Sequence, residues 1–91
     1  MVLRIDKSKR SKFVIFSLSG RIEQKKIVEL QQLFASLQHY RDVALDLRDV
    51  TLVDKDSVEF LARCQAEGIE LWNCPTYLAE WIVRIRAKIG I

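Results

Sequence analysis

The chain has 91 residues, of which 49% are hydrophobic and 30% are charged, and its formal net charge is +3. This length supports one core rather than two, and the composition excludes both intrinsic disorder and a membrane-spanning run. Charged residues begin at Arg4, so the N-terminus lacks the apolar segment of a secretory signal, and we expect a single cytoplasmic domain over residues 1–91 without membrane insertion.

The first predicted elements are two antiparallel strands. The run FVIFSLSG (residues 13–20) is rich in β-branched and aromatic residues, which is typical of a largely buried strand. The shorter run VLRI (residues 2–5) can pair with it. The polar DKSKRSK between them is predicted to form the turn.

After Gly20 the hydrophobic period becomes that of a helix. Apolar residues recur at three- and four-residue steps from Ile27 to Leu37, which predicts an amphipathic helix packed on the sheet. His39 follows it and has no second histidine as a partner, so we expect no catalytic role for it. The alternating run DVALDLRDV (residues 42–50) then predicts a strand with one strongly apolar face.

The stretch TLVDKDSVEFL (residues 51–61) leads from that strand into a second helix. Apolar residues resume at three-residue steps from Val58 to Cys64, and Gly68 is predicted to end the helix in a left-handed conformation. A short strand, IELWNC (residues 69–74), follows. Pro75 is the predicted first residue of a last helix, which ends at Gly90.

The predicted order is therefore β-β-α-β-α-β-α. It implies an α/β fold in which about three helices cover a mixed sheet of about four strands.

Two capping arrangements account for the acids at the start of the second helix. Asp56 is the N-cap with Glu59 at N3, as in a capping box, or Asp54 is the N-cap with Asp56 at N2 and Ser57 at N3. Both remain open at the level of sequence. We expect Lys55 and Ser57 to be exposed at this helix start. Neither capping arrangement explains that exposure.

The sequence offers few parts for catalysis. Its three glycines are isolated, so they cannot form a phosphate-binding loop, and Cys64 and Cys74 are too far apart for a CxxC pair. Asp46, Asp54 and Asp56 could in principle bind Mg²⁺, but capping explains the last two better. We therefore expect no enzyme activity, no metal and no cofactor, and we expect both cysteines to be reduced thiols.

Three stretches resemble motifs of the STAS domain, the family of bacterial anti-sigma factor antagonists and related domains of sulfate transporters. LSGRIE is similar to the family's Leu-x-Gly-x-Leu-Asp at the entry to the first helix, and GIELWNCP to its closing Gly-x-x-Leu strand. VALDLRDVTLVDKDSVEFL resembles the strand that leads to an Asp-Ser-Ser-Gly turn. The resemblance is strongest over residues 13–82, and the fold that it implies agrees with the predicted order of elements.

In antagonists of this family, a partner kinase phosphorylates the serine before the glycine of Asp-Ser-Ser-Gly, and phosphorylation releases the partner. The resemblance matches Asp54 to the family's aspartate, Lys55 to the first serine, Asp56 to the phosphorylated serine and Ser57 to the glycine. Asp56 would then be a permanent and partial mimic, because phosphoserine carries a charge of about −1.5 to −2. Ser57 is the candidate for a displaced phosphoacceptor, about 100° further around the helix.

The resemblance thus implies a non-enzymatic module that regulates transcription by partner switching through protein–protein contacts. Its partner would be an anti-sigma factor of the serine-kinase type, and the switch would be lost or altered. Residues 42–59 carry a local charge of −4, which suits recognition of a basic surface. The predicted partner-binding residues are Asp54, Lys55, Asp56, Ser57, Val58 and Glu59.

Two alternative functions remain open. Within the family, the chain is a STAS subunit bound to the ATPase of an ABC-type transporter of lipids or solutes. From another class, the basic termini bind nucleic acid, which the sequence disfavours because aromatic and basic residues do not alternate there. A homodimer is compatible with any of these functions.

Overall fold

A computed structural model describes residues 3–37 and 42–90 of the chain. The strands and helices are β1 (Arg4–Arg10), β2 (Phe13–Ile22), α1 (Gln24–Ala35), β3 (Val43–Val53), α2 (Lys55–Ala66), β4 (Glu70–Trp72) and α3 (Thr76–Ile89). The sheet order is β1-β2-β3-β4, with β1 antiparallel to β2 and the other pairs parallel. This confirms the predicted α/β fold, while His39 lies outside the described residues.

The N-terminal hairpin is tighter than predicted. Residues 6–10, which were assigned to the turn, belong to β1, and Arg10 pairs with Phe13 across a two-residue loop. The first loop residue, Ser11, has a φ of 56°. β1 is an exposed edge strand, so its sequence carries charges that oppose edge pairing and lacks the hydrophobic alternation by which a strand is recognised.

Strand β3 continues beyond the predicted end at Val50, because the TLV segment is part of it. On the face under the helices, its buried residues are spaced two apart from Val43 to Leu47 and then three apart, at Val50 and Val53. The register against β2 shifts twice along this half, and β3 gains one extra residue at each shift. Because of these two irregularities, Val50 and Val53 still face the helices although buried and exposed residues no longer alternate.

All three helices pack on one face of the sheet. The crossovers β2-α1-β3 and β3-α2-β4 step in the same direction across the sheet, so right-handed connections place α1 and α2 on the same side, and α3 packs against α2. One core joins this face to all three helices. Its fully buried members include Leu18, Ile22, Leu30, Leu45, Leu47, Val58, Leu61 and Leu78.

The ends of α2 and α3 agree with prediction to within one residue, whereas α1 ends at Ala35, before the predicted Leu37. Gly68 follows the C-cap of α2 with a φ of 106°, and Gly90 is the left-handed C-cap of α3, as expected for the residue without a Cβ. Pro75 is the N-cap of α3 rather than its first helical residue, since the helix begins at Thr76. The ψ of Pro75 is 145°, an extended conformation that precedes the first helical turn.

Candidate functional site

The predicted site residues lie where β3 passes into α2. Strand β3 ends at Val53, Asp54 is the N-cap, and α2 begins at Lys55. The parallel neighbour β2 ends at the same edge of the sheet, where the backbone N–H of Asp54 donates to the carbonyl of Ile22 at 3.3 Å. The first turns of α1 and α2 therefore begin side by side at this edge.

Asp54 binds the N-termini of both helices. Its Oδ1 accepts a hydrogen bond from the backbone N–H of Ser57 in α2 at 2.9 Å, and its Oδ2 accepts one from the backbone N–H of Gln24 in α1 at 3.0 Å. The N-cap of α1, Glu23, makes no side-chain cap of its own. Asp54 as the N-cap of α2 is thus confirmed, and the alternative capping box with Asp56 as N-cap is wrong.

The hydrogen bonds set the ionisation of Asp54. Burial acts to raise its pKa, but the bonds from Ser57 and Gln24 outweigh burial and hold the pKa below the usual value of 3.8. The Ser57 hydroxyl adds to this lowering, although it does not reach ordinary hydrogen-bond geometry. The carboxylate therefore remains charged at neutral pH, at the positive ends of two helices.

The other charged residues of the predicted site face solvent. Lys55 and Asp56 are exposed, Glu59 is half-buried, and none of the three forms an ion pair or hydrogen bond within the described part of the chain. Leu52, near the end of β3, leaves 49% of its surface exposed. The start of α2 thus presents unpaired charge of both signs beside an exposed apolar side chain.

Ser57 and Val58 do not belong to this exposed surface. Both are 0% exposed, so the expected exposure of Ser57 is wrong. Ser57 lies four residues before Leu61, and this spacing turns it toward the buried stripe of α2. Its Oγ has no hydrogen-bond partner among the described residues, and a kinase could not reach it. The burial contradicts the prediction that Ser57 is a displaced phosphoacceptor.

A groove between α1 and α2 was not anticipated from sequence. It encloses about 260 Å³, and its lining includes Phe34, Phe60, Arg63 and Cys64. The two phenylalanine rings stack with centroids 6.1 Å apart and planes 7° apart. The available sequence signal was the position of Phe60, which flanks the hydrophobic stripe of α2 rather than lying within it.

Among the described residues, the candidate metal ligands do not come together and the cysteines are not activated. Asp46 accepts hydrogen bonds from the side-chain amide of Asn73 at 3.2 Å and from the backbone of Arg48 at 3.1 Å. Over residues 3–37 and 42–90, no group of three or more potential metal ligands comes together. Burial, aided by the charge of Glu67, raises the pKa of the free Cys64 thiol to about 12.

None of the described helices has the length and apolar character needed to cross a bilayer. No protein-family model matches the chain, and no match was found among curated proteins. The start of α2 and the motifs quoted above are therefore the features that bear on function.

Proposed function

We propose that this chain is a STAS-type protein-interaction module, similar to an anti-sigma factor antagonist, that binds its partner through the start of α2. The observation that carries the proposal is the separation of roles among neighbouring residues. Asp54 is engaged by two helix N-termini, Ser57 is buried, and Asp56 is left exposed and unpaired at the position matched to phosphoserine. The module acts without catalysis, in the cytoplasm.

The partner that fits this surface carries a basic and partly apolar groove. Asp56 and Glu59 supply negative charge that no described residue neutralises, and Leu52 supplies apolar contact area. Charge at the rim of such a contact decides between partners by attraction or repulsion. An anti-sigma factor of the serine-kinase type is the partner that the motif resemblance implies.

Asp56 makes the regulatory state permanent in this proposal. Its single charge is smaller than the −1.5 to −2 or so of phosphoserine, and neither a kinase nor a phosphatase can change it. Since Ser57 is buried, no serine at the start of α2 is accessible for a reversible switch. The charge at this position is therefore fixed between that of an unphosphorylated serine and that of phosphoserine, and the module stays in one state.

Binding to a serine-kinase-type anti-sigma factor, taken from the neighbouring genes where one is encoded there, tests the partner. Titration calorimetry should show that Asp56→Lys weakens binding by about tenfold or more, equivalent to roughly 1.4 kcal/mol. The matched control is Asp49→Lys, the same charge reversal at an exposed position of β3. Equal affinity of the two variants would refute a contact at the start of α2.

Phosphorylation by the same kinase tests the fixed charge. The wild-type chain should take up no phosphate, whereas Asp56→Ser should take up one phosphate at the restored position, as measured by intact mass. Stoichiometric phosphate on the wild-type chain would overturn the proposal of a fixed charge. An unphosphorylated Asp56→Ser variant that still binds would refute the match of Asp56 to phosphoserine.

A second candidate is a STAS subunit of an ABC-type transporter, favoured by the lack of an accessible serine at the start of α2, since a permanent subunit needs no phosphorylation cycle. Recovery of an ATPase subunit instead of a kinase in a pull-down would select it. Nucleic-acid binding has less support, because Arg4 and Lys12 form ion pairs with Asp6 and Asp42 at 3.0 and 3.8 Å. A salt-sensitive mobility shift with mixed DNA and RNA would reverse this ranking.

A further inference from the structure

The sheet face opposite the helices carries a second apolar cluster. Ile15 and Ala44 are 6% and 0% exposed, yet neither belongs to the core under the helices. Half-buried Phe13 and Trp72 cover them, and their rings meet edge to face with centroids 5.2 Å apart. No helix of the described part of the chain lies over this face, so the cluster is closed only by its own side chains.

The two edges of this open face differ in charge. On the β1 side, Arg10 pairs in register with Phe13 and forms no ion pair with a described residue, whereas Lys12, near the Phe13 ring, is paired with Asp42 at 3.8 Å. On the β4 side, the Oε1 of Glu70 accepts a hydrogen bond from the Trp72 ring nitrogen at 3.0 Å. A basic edge and an acidic edge thus flank one aromatic centre.

We propose that this open face is an interface between two copies of the chain, stacked sheet against sheet. A two-fold axis that lies between the sheets and parallel to the strands places β1 of each copy over β4 of the other. The basic edge then meets the acidic edge twice, and the two aromatic clusters meet at the centre. A second copy is the occupant that supplies both charges in the required order.

The size of the face sets the strength of the dimer. A strand spacing of about 4.8 Å and a rise of about 3.3 Å per residue give a footprint of roughly 330 Å² for three strands over six residues and the three-residue β4. A standard interface buries about 800 Å² on each partner. The footprint is less than half of this, so we expect a weak, transient dimer with a dissociation constant between about 10 µM and 1 mM.

Analytical ultracentrifugation over a range from about 10 µM to about 1 mM brackets this constant. The wild-type chain should pass from monomer to dimer across the range, and Trp72→Arg should remain monomeric. The matched control is Val83→Arg, on a side chain of α3 that is 67% exposed, and it should dimerise like the wild-type chain. Circular dichroism establishes that each variant is folded.

A charge swap tests the predicted pairing of edges. It also tests whether two copies associate through this face if Trp72→Arg does not fold. Arg10→Glu and Glu70→Arg should each weaken the dimer, and the double variant should restore it, because the reversed charges again meet across the two-fold axis. A double variant no better than the single ones would overturn the proposed arrangement. A wild-type chain that is monomeric at every concentration would also overturn it and would assign the face to a different partner. A dimer that persists in Trp72→Arg would overturn it as well.

Discussion

Replacing Asp54 with alanine removes the hydrogen-bond acceptor of two helix N-termini at once. Loss of an N-cap costs about 1 kcal/mol. A second hydrogen bond to a charged acceptor contributes about 1.5 kcal/mol, the lower end of its range, because Asp54 is exposed and Gln24 can bond to water instead. We therefore expect the free energy of unfolding to fall by roughly 2.5 kcal/mol, or the melting temperature by about 15 °C.

The pH dependence of this loss has a definite sign. The pKa of Asp54 lies below 3.8 in the folded chain, so its contribution to stability is fully present above about pH 3.8 and disappears as the pH falls through the folded-state pKa. The difference between the wild-type chain and Asp54→Ala should therefore be constant near neutral pH and shrink in acid.

Urea unfolding measures both effects, with Asp56→Ala as the matched control. Asp56 lies in the same first turn but makes no hydrogen bond within the described residues, so only its interaction with the helix dipole is lost, about 0.5 kcal/mol. Hydrogen exchange should show faster exchange of the Gln24 and Ser57 amides in Asp54→Ala alone. Equal destabilisation by the two variants, or unchanged protection of Gln24, would refute the double cap.

Three further predictions concern the end of α2, the core and the thiols. Gly68→Ala should cost about 1–2 kcal/mol in urea unfolding, because the φ of 106° strains any residue with a Cβ even though nothing lies within 4 Å; an unchanged midpoint would contradict this. Leu45→Ala, in the middle of the sheet, should cost about 3 kcal/mol in the same assay, and a loss below about 1 kcal/mol would show that the core repacks. Cys74 should be alkylated before Cys64 in the folded chain, since burial raises the pKa of both thiols but Cys64 is the more buried. Mass spectrometry gives the order of alkylation, and equal rates would contradict this prediction.

Elements with one buried face were predictable, because packing on a single layer leaves a period in the sequence. The stripes of α2 and α3 and the first half of β3 follow this rule. The sequence predicts the first strand but not its extension over residues 6–10, because an edge strand with mostly exposed side chains has no such period. Residues 51–53 of β3 fall outside the predicted strand because two register shifts change the spacing of buried residues from two to three.

The candidate site was located from sequence but not resolved into roles. Asp54 and Asp56 both satisfy the local rules for an N-cap, and the second role of Asp54 depends on a contact with Gln24, 30 residues away in the chain. No local pattern contains that information. The burial of Ser57, by contrast, could have been inferred from its four-residue spacing to Leu61.

The strand order β1-β2-β3-β4 has a consequence for how the chain folds. Each strand pairs with the strand that precedes it in sequence, so the sheet can grow by one strand at a time from the two-residue hairpin. The longest connections to be closed are residues 23–42 and 54–69, and each is shortened by a helix. Such sequential pairing keeps the contact order of the sheet low, and folding on the order of milliseconds follows. No strand has to wait for a distant part of the chain before its edge is paired.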